Sequence, residues 1–452
     1  MNFLNMSALD MAQHIANGST SSVAVTQFFI TRIESLAELN CISDLFAEQA
    51  LAQAQHLDDL TAQGKACSIF HGTPIILKDS IDVAGHVSQA GTVYLSEKAD
   101  TDASLVQQLK QLGFVILAKA KMTELAFGLS GQNPQQGTPH NPWATQVVAP
   151  GGSSSGCAVA IAAGLSPLAI GGDTGGSIRA PAAFNGIFGF KPSQFRIDGS
   201  GTVPLAKSLD TLGPMSLHFN DLVQLYLLLS NQSLASISEA MAPIYYLDHL
   251  DFPAPLAPEI MLLWQKLLED LSLQGVVLKP WIRPQELDFT ELSAFTSTII
   301  AYESYRYHGD AAENPATPMW QVVRERVCKG KLISADEYQT ALQQRTHYQQ
   351  IFKDSLGDNL CLLLPASPLF ATDLDELDTN YVHVGDYTRP FNYLDAPACS
   401  FPIGFSKDQL PIGVQLVNAF AQDQQLLSQA QQLIQRLNIE ASTAELNTAL
   451  VI

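Results

Sequence analysis

Two glycine- and serine-rich stretches constrain this chain most: Gly151-Gly152-Ser153-Ser154-Ser155-Gly156 and Gly172-Asp173-Thr174-Gly175-Gly176-Ser177-Ile178-Arg179, with an apolar run from Cys157 to Ile170 between them. The first half of that run, Cys157-Ala158-Val159-Ala160-Ile161-Ala162-Ala163-Gly164, is built from small residues. It reads as a central helix packed tightly between layers, its N-terminus at the first loop. The glycines let backbone N–H groups converge on one point, because no Cβ blocks a bound oxygen or a turn of positive φ. A serine closing such a nest, here Ser177, is placed to attack a carbonyl while the N–H groups hold the oxyanion. The pattern points to acyl transfer.

Around these loops the chain alternates helix and strand. Pro74-Ile75-Ile76-Leu77-Lys78-Asp79 is a short apolar strand that delivers a lysine at its end. A helical period from Asp102 to Leu112 stops at Gly113 and is followed by a strand, Phe114 to Ala118. The same unit recurs at Pro258–Gln274 with Gly275–Leu278, and at Ala335–Ser355 with Cys361–Pro365. Further helices are expected from Ser7 to Gly18, from Thr20 to Leu36 and from Asp423 to Leu437, and a polar surface loop from Asp373 to Tyr387. This is the alternation of a layered α/β fold. A length prior of roughly 150 residues per domain suggests about three domains. No linker, repeat or change of composition supports that division, and residues 1–452 are expected to form one domain.

Composition narrows the function. Apolar residues make up 46% of the chain and charged ones 15%, as in a large, well-buried body. The net charge of −20 argues against nucleic acid and anionic membrane surfaces as partners. The N-terminal residues lack the basic and apolar regions of a signal peptide, and no apolar stretch is long enough to span a bilayer. Six scattered cysteines form neither a disulfide framework nor a zinc site, so no metal or cofactor is expected and a reducing cytoplasm fits.

A serine nucleophile needs a base. Gly152-Ser153-Ser154-Ser155-Gly156 satisfies the G-x-S-x-G nucleophile elbow, which would make Ser154 the nucleophile of a Ser-His-Asp hydrolase. His218, His249, His308, His347 and His383 lie downstream, none in a loop of obvious site character. The other class uses a neutral lysine, its pKa lowered by burial or a neighbouring cation. Lys78, ending an apolar strand, qualifies; no serine has a lysine three positions later, so any pairing joins residues distant in sequence. Cys157 reads as a small buried filler rather than a nucleophile.

Taken in order, Pro74–Asp79, Gly151–Ser154 and Gly172–Pro181 resemble the amidase signature family, with Ser153 following Lys78 by 75 residues and Ser177 following Ser153 by 24. Asn141-Pro142-Trp143, Gly189–Pro192, Ser208–Pro214, Arg389–Asn392 and Leu410–Gln415 extend the similarity over essentially the whole chain, with the signature core at about residues 65–215. The resemblance implies a mixed central sheet between helical layers (α/β/α). It also implies a triad in which Ser177 is the nucleophile, Ser153, preceded by a cis peptide, the bridge, and Lys78 the base. Backbone N–H groups of Thr174, Gly175, Gly176 and Ser177 would form the oxyanion hole. Ser154, Asp173 and Arg179 are read as support for the loops. Ser155, Cys157 and Asp395 depart from the family pattern and are expected near the substrate tunnel, where they bear on substrate identity.

The resemblance implies an amide hydrolase acting on a small-molecule amide, with no nucleic acid or membrane partner and a homodimer allowed. The alternative it carries is the glutaminase A-type subunit of a tRNA-linked amidotransferase, which passes ammonia to a partner. A catalytically silent scaffold fits less well, since Lys78, Ser153 and Ser177 are all present.

Overall fold

The computed structural model describes residues 2–233, 241–357, 360–372, 374 and 383–444. Its strands are β1 (Ile42–Leu45), β2 (Pro74–Lys78), β3 (Val115–Ala120), β4 (Leu168–Asp173), β5 (Phe188–Lys191), β6 (Thr211–Ser216), β7 (Ile244–Tyr246), β8 (Leu278–Pro280), β9 (Cys361–Pro365), β10 (Ala398–Phe405) and β11 (Pro411–Val417). They form one sheet in the order β1-β3-β2-β4-β6-β5-β10-β11-β9-β7-β8. The pairs β3–β2, β2–β4, β9–β7 and β7–β8 are parallel and the others antiparallel, so the sheet is mixed as expected.

The period of two along each strand sorts side chains between two cores. On β2, Ile75 and Leu77 enter one hydrophobic cluster and Ile76 the opposite one; on β9, Cys361 and Leu363 face the first side and Leu362 and Leu364 the second. The first face is covered by α4 (Ser104–Gln111), α7 (Phe219–Leu229), α8 (Pro258–Leu273) and α13 (Asp423–Leu437). The second is covered at the β1 end by α1 (Ala8–Ala16), α2 (Ser22–Ser35), α3 (Ala47–Ala62) and α5 (Ser155–Ala162). At the β8 end it is covered by α9 (Phe289–Glu313), α11 (Ala335–Leu356) and α12 (Val384–Tyr393). Both faces are thus closed by helices, the α/β/α arrangement.

Local chemistry explains several boundaries. Ser7 caps α1 by accepting from Asp10 N at 3.0 Å, and Ser334 and Glu337 form a reciprocal capping box at the start of α11. Every residue of α5 is buried, as its small side chains require. Several boundaries differ from expectation, among them that of α5, which begins at Ser155 inside the first loop and ends at Ala162. The strand after α4 runs on to Ala120, and the strand after α8 begins only at Leu278. Val384–Tyr387, read as surface loop, is the largely buried first turn of α12, while 373 and 375–382 lie outside the described residues. Polar composition points to a loop there; the bonds of Tyr387 to Ala254 and Gln415, distant in sequence, decide otherwise.

Parallel pairing places the site. Because β2 and β4 run side by side in one direction, with Leu77 opposite Ile170, their C-terminal ends emerge at the same edge. Lys78 and the loop after Asp173 therefore meet. Strand ends of this kind are where open α/β sheets place their reacting groups.

Candidate active site

Lys78 closes β2 and is 2% exposed. Its ammonium donates to Ser153 Oγ at 2.7 Å and to the Gly172 carbonyl at 3.2 Å. Burial strips the amine of water and lowers its pKa from 10.5 to about 8; nearby Cys157, Asp173 and Asp210 oppose the shift without cancelling it.

Ser153 is fully buried and follows a cis peptide bond from Gly152. A Cβ on Gly152 would stand 2.7 Å from both Gly131 N and Thr123 Oγ1, so only glycine fits where these segments converge. Ser154 ties the two loops together. Its hydroxyl both donates to Gly172 O and accepts from Gly172 N, each at 3.1 Å, and its N–H donates to Ser177 O at 3.2 Å. No histidine hydrogen-bonds Ser154 among the described residues. His218 and His308 bond backbone carbonyls, and His383 turns to Asp386. The elbow expectation thus lacks its base: the Ser154 hydroxyl is committed to loop structure.

The second loop hangs from Asp173 at the end of β4. One carboxylate oxygen accepts from Gly176 N at 2.8 Å and the other from Ile178 N at 3.1 Å. Arg179 closes a two-pronged ion pair on the same carboxylate, at 3.0 and 3.1 Å, and Asn392 Nδ2 adds a bond at 2.7 Å. Burial alone would raise the Asp173 pKa, but the Arg179 charge and hydrogen bonds outweigh it and hold the carboxyl well below the usual range. Arg179, also fully buried, donates further to Thr388 O, Gln415 Oε1 and Asn392 Oδ1. Thr174 Oγ1 donates to Asp210 Oδ1 at 2.6 Å, and Thr388 Oγ1 to Gly175 O at 2.7 Å.

Among the described residues, the N–H groups of Thr174, Gly175 and Ser177 have no partner, whereas that of Gly176 is engaged by Asp173. Ser177 is 3% exposed, its hydroxyl has no hydrogen bond to a described residue, and it lines a cavity of about 360 Å³. Lys78 lines a second cavity of about 310 Å³. Ala126, Thr174 and Leu205 belong to both linings, so the two cavities share a wall.

The three departures from the signature pattern fall elsewhere than expected. Ser155, Cys157 and Asp395 line neither cavity. Cys157 is buried, with its thiol pushed up to about 12 by desolvation, consistent with a filler. Asp395 adopts φ +50°, the left-handed backbone that suits glycine, and accepts from Gln194 N at 2.7 Å. Asp210, Thr388, Arg389, Asn392 and Gln415 carry no role in the sequence pattern, yet all five surround the loop after β4. The motifs around Arg389–Asn392 and Gln415 were visible, but their contacts to Asp173 and Arg179 cross more than 200 residues.

Among the described residues, no helix is long and apolar enough to cross a membrane, and no group of three or more His, Cys, Asp or Glu side chains could hold a metal ion.

Residues 24–427 match the amidase family model. The A subunit of the glutamyl-tRNA(Gln) amidotransferase from Protochlamydia amoebophila (strain UWE25) is 30% identical over 480 residues, covering 97% of this chain and 98% of that protein. A crystal structure of an amidase superposes with a TM-score of 0.87 at 28% identity, covering 94% of this chain and 98% of that one. The peptide amidase of Stenotrophomonas maltophilia gives a TM-score of 0.80 over 99% of both chains; at 22% identity it speaks for the fold alone.

Proposed function

The chain belongs to the amidase family, and from that premise we propose that it is an amide hydrolase working through a serine acyl-enzyme. Neutral Lys78 takes a proton from the Ser153 hydroxyl, which takes that of Ser177; Ser177 Oγ attacks the amide carbon. The N–H groups of Thr174, Gly175 and Ser177 receive the oxyanion, with that of Gly176 shared with Asp173. The proton returns along the relay to the leaving nitrogen, and ammonia or an amine departs. Water, deprotonated by the same relay, attacks the ester and releases the acid, so R–CO–NHR′ and water become R–COOH and H₂NR′.

One observation carries this reading: a desolvated lysine, with its pKa near 8, bonded at 2.7 Å to a buried serine. About one lysine in ten would be neutral at pH 7, which suffices for a general base. The amidotransferase reading is favoured by the relative from Protochlamydia amoebophila, itself the A subunit of such an enzyme. Labelling with a fluorophosphonate followed by mass spectrometry tests the nucleophile: the adduct is expected on Ser177 and to vanish in Ser177→Ala. An adduct on Ser154 would overturn the assignment. Assays of the isolated chain on simple amides and on glutamine then separate the two readings, since a hydrolase turns over without a partner.

A further inference from the structure

The cavity that holds Ser177 differs in charge from the protein as a whole. In a chain of net charge −20, its described lining carries Arg326, Lys329 and Arg389 and no Asp or Glu. Lys329, exposed at the end of α10 (Gln321–Lys329), stands nearest solvent, and Arg326 on the same helix donates to the Phe127 carbonyl at 2.5 Å. Arg389, on α12, lies against the catalytic loop. A Cβ built on Gly175 would stand 3.5 Å from Arg389 Cγ and 3.9 Å from Nε, two residues before Ser177. Gly385, one turn earlier on α12, leaves the space for the guanidinium: a Cβ there would come within 2.6 Å of Nη1.

The neighbouring arginines show what is unusual. Arg179 is surrounded by acceptors from Asp173, Thr388, Gln415 and Asn392, and Arg345 by four of its own. Among the described residues, the Arg389 guanidinium has neither a hydrogen bond nor an ion pair. Asp386, the carboxylate on the same helix, bonds His383 at 3.0 Å and reaches Arg389 only through space. A cation drawn out of bulk water without an acceptor is costly unless an anion arrives to meet it. Its planar fork matches a carboxylate, and one guanidinium balances one negative charge.

We propose that Arg389 is the anion-recognition residue of the acyl pocket, and that the substrates are short amides bearing a carboxylate on the acyl side. The carboxylate sits on Arg389 and the amide carbon at Ser177, with Lys329 and Arg326 drawing the anion inward. The inference rests on the acyl-enzyme reading above. The closeness of Arg389 to Gly175 sets the length: only a few bonds separate the two ends of the acyl group.

The test compares malonamate, succinamate and glutaramate with propanamide, butanamide and pentanamide in wild type, Arg389→Met and Arg389→Lys. The readout is the ratio of kcat/KM for each anionic amide over its neutral partner, which is independent of the amount of folded protein. Wild type is expected to favour at least one anionic amide by about 10²-fold. Arg389→Met should abolish that ratio and Arg389→Lys restore part of it. A wild-type ratio near one, or one unchanged in Arg389→Met, overturns the proposal. Calorimetry of succinate, malonate and glutarate binding to Ser177→Ala and to Ser177→Ala/Arg389→Met reads the anion site without turnover. At least one dicarboxylate should lose tenfold or more in affinity in the double variant, and equal affinity in both overturns the proposal. Hydrolysis that persists in Ser177→Ala would instead refute the acyl-enzyme reading and leave the anion result to stand or fall by calorimetry.

Discussion

At the scale of single residues, the acyl-enzyme reading makes Lys78 the group expected to set the pH behaviour. A base must be deprotonated to act, and burial lowers its pKa from 10.5 to about 8. The kcat/KM of wild type is therefore expected to rise with pH through about 8 and level off above, whereas a lysine at its ordinary value would delay the rise beyond pH 10. Lys78→Ala should lose on the order of 10²–10⁴-fold or more, since members of a relay act as a unit. Lys78→Arg should fare no better, because a guanidinium keeps its proton. Steady-state rates from pH 6 to 10 check all three; a near-wild-type rate in Lys78→Arg would mean that the proton goes elsewhere. This much could be anticipated from the chain itself: a lysine ending an apolar strand and a serine ending a glycine nest are local patterns. The Arg389 guanidinium could not, because what defines it is that no described residue hydrogen-bonds it, a property of the assembled pocket.

At the scale of elements, the loop after β4 is held by charge. Asp173 and Arg179 are buried together and joined to α12 and β11 through Asn392, Thr388 and Gln415. Asp173→Asn leaves the Arg179 charge buried without its counter-ion, and a loss of roughly 3–5 kcal/mol is expected, read by denaturant unfolding. The Asp173 carboxyl is depressed on folding, so its contribution is complete above the ordinary carboxylate range and declines as pH falls through the folded value. An acid limb in the unfolding profile that disappears in Asp173→Asn checks this; an unchanged profile would show that the pair is not a source of stability. The same network explains which elements were legible. The helix over Asp423–Leu437 coincides with its sequence pattern residue for residue, since its apolar period and surface exposure agree. The segment Val384–Tyr387 departs from its polar composition because Tyr387 is held from far away in sequence, its hydroxyl donating to Ala254 O and its carbonyl accepting from Gln415 Nε2, and no local pattern records that.

At the scale of the whole molecule, eleven strands join every described helical layer to one sheet. We expect residues 1–452 to unfold as one cooperative unit, with far-ultraviolet and near-ultraviolet circular dichroism changing together in denaturant. Two separable transitions would divide the chain into domains. The shared wall between the cavities has a consequence for the order of events in time. Ser177 opens to one cavity and Lys78 to the other, with Ala126, Thr174 and Leu205 between them. On the acyl-enzyme reading, the acyl group stays in its own chamber while protons and water are exchanged through the other. The traffic of the second half-reaction then does not queue behind the bulk of the first, and the size of the acyl group governs entry without governing the recovery of the base.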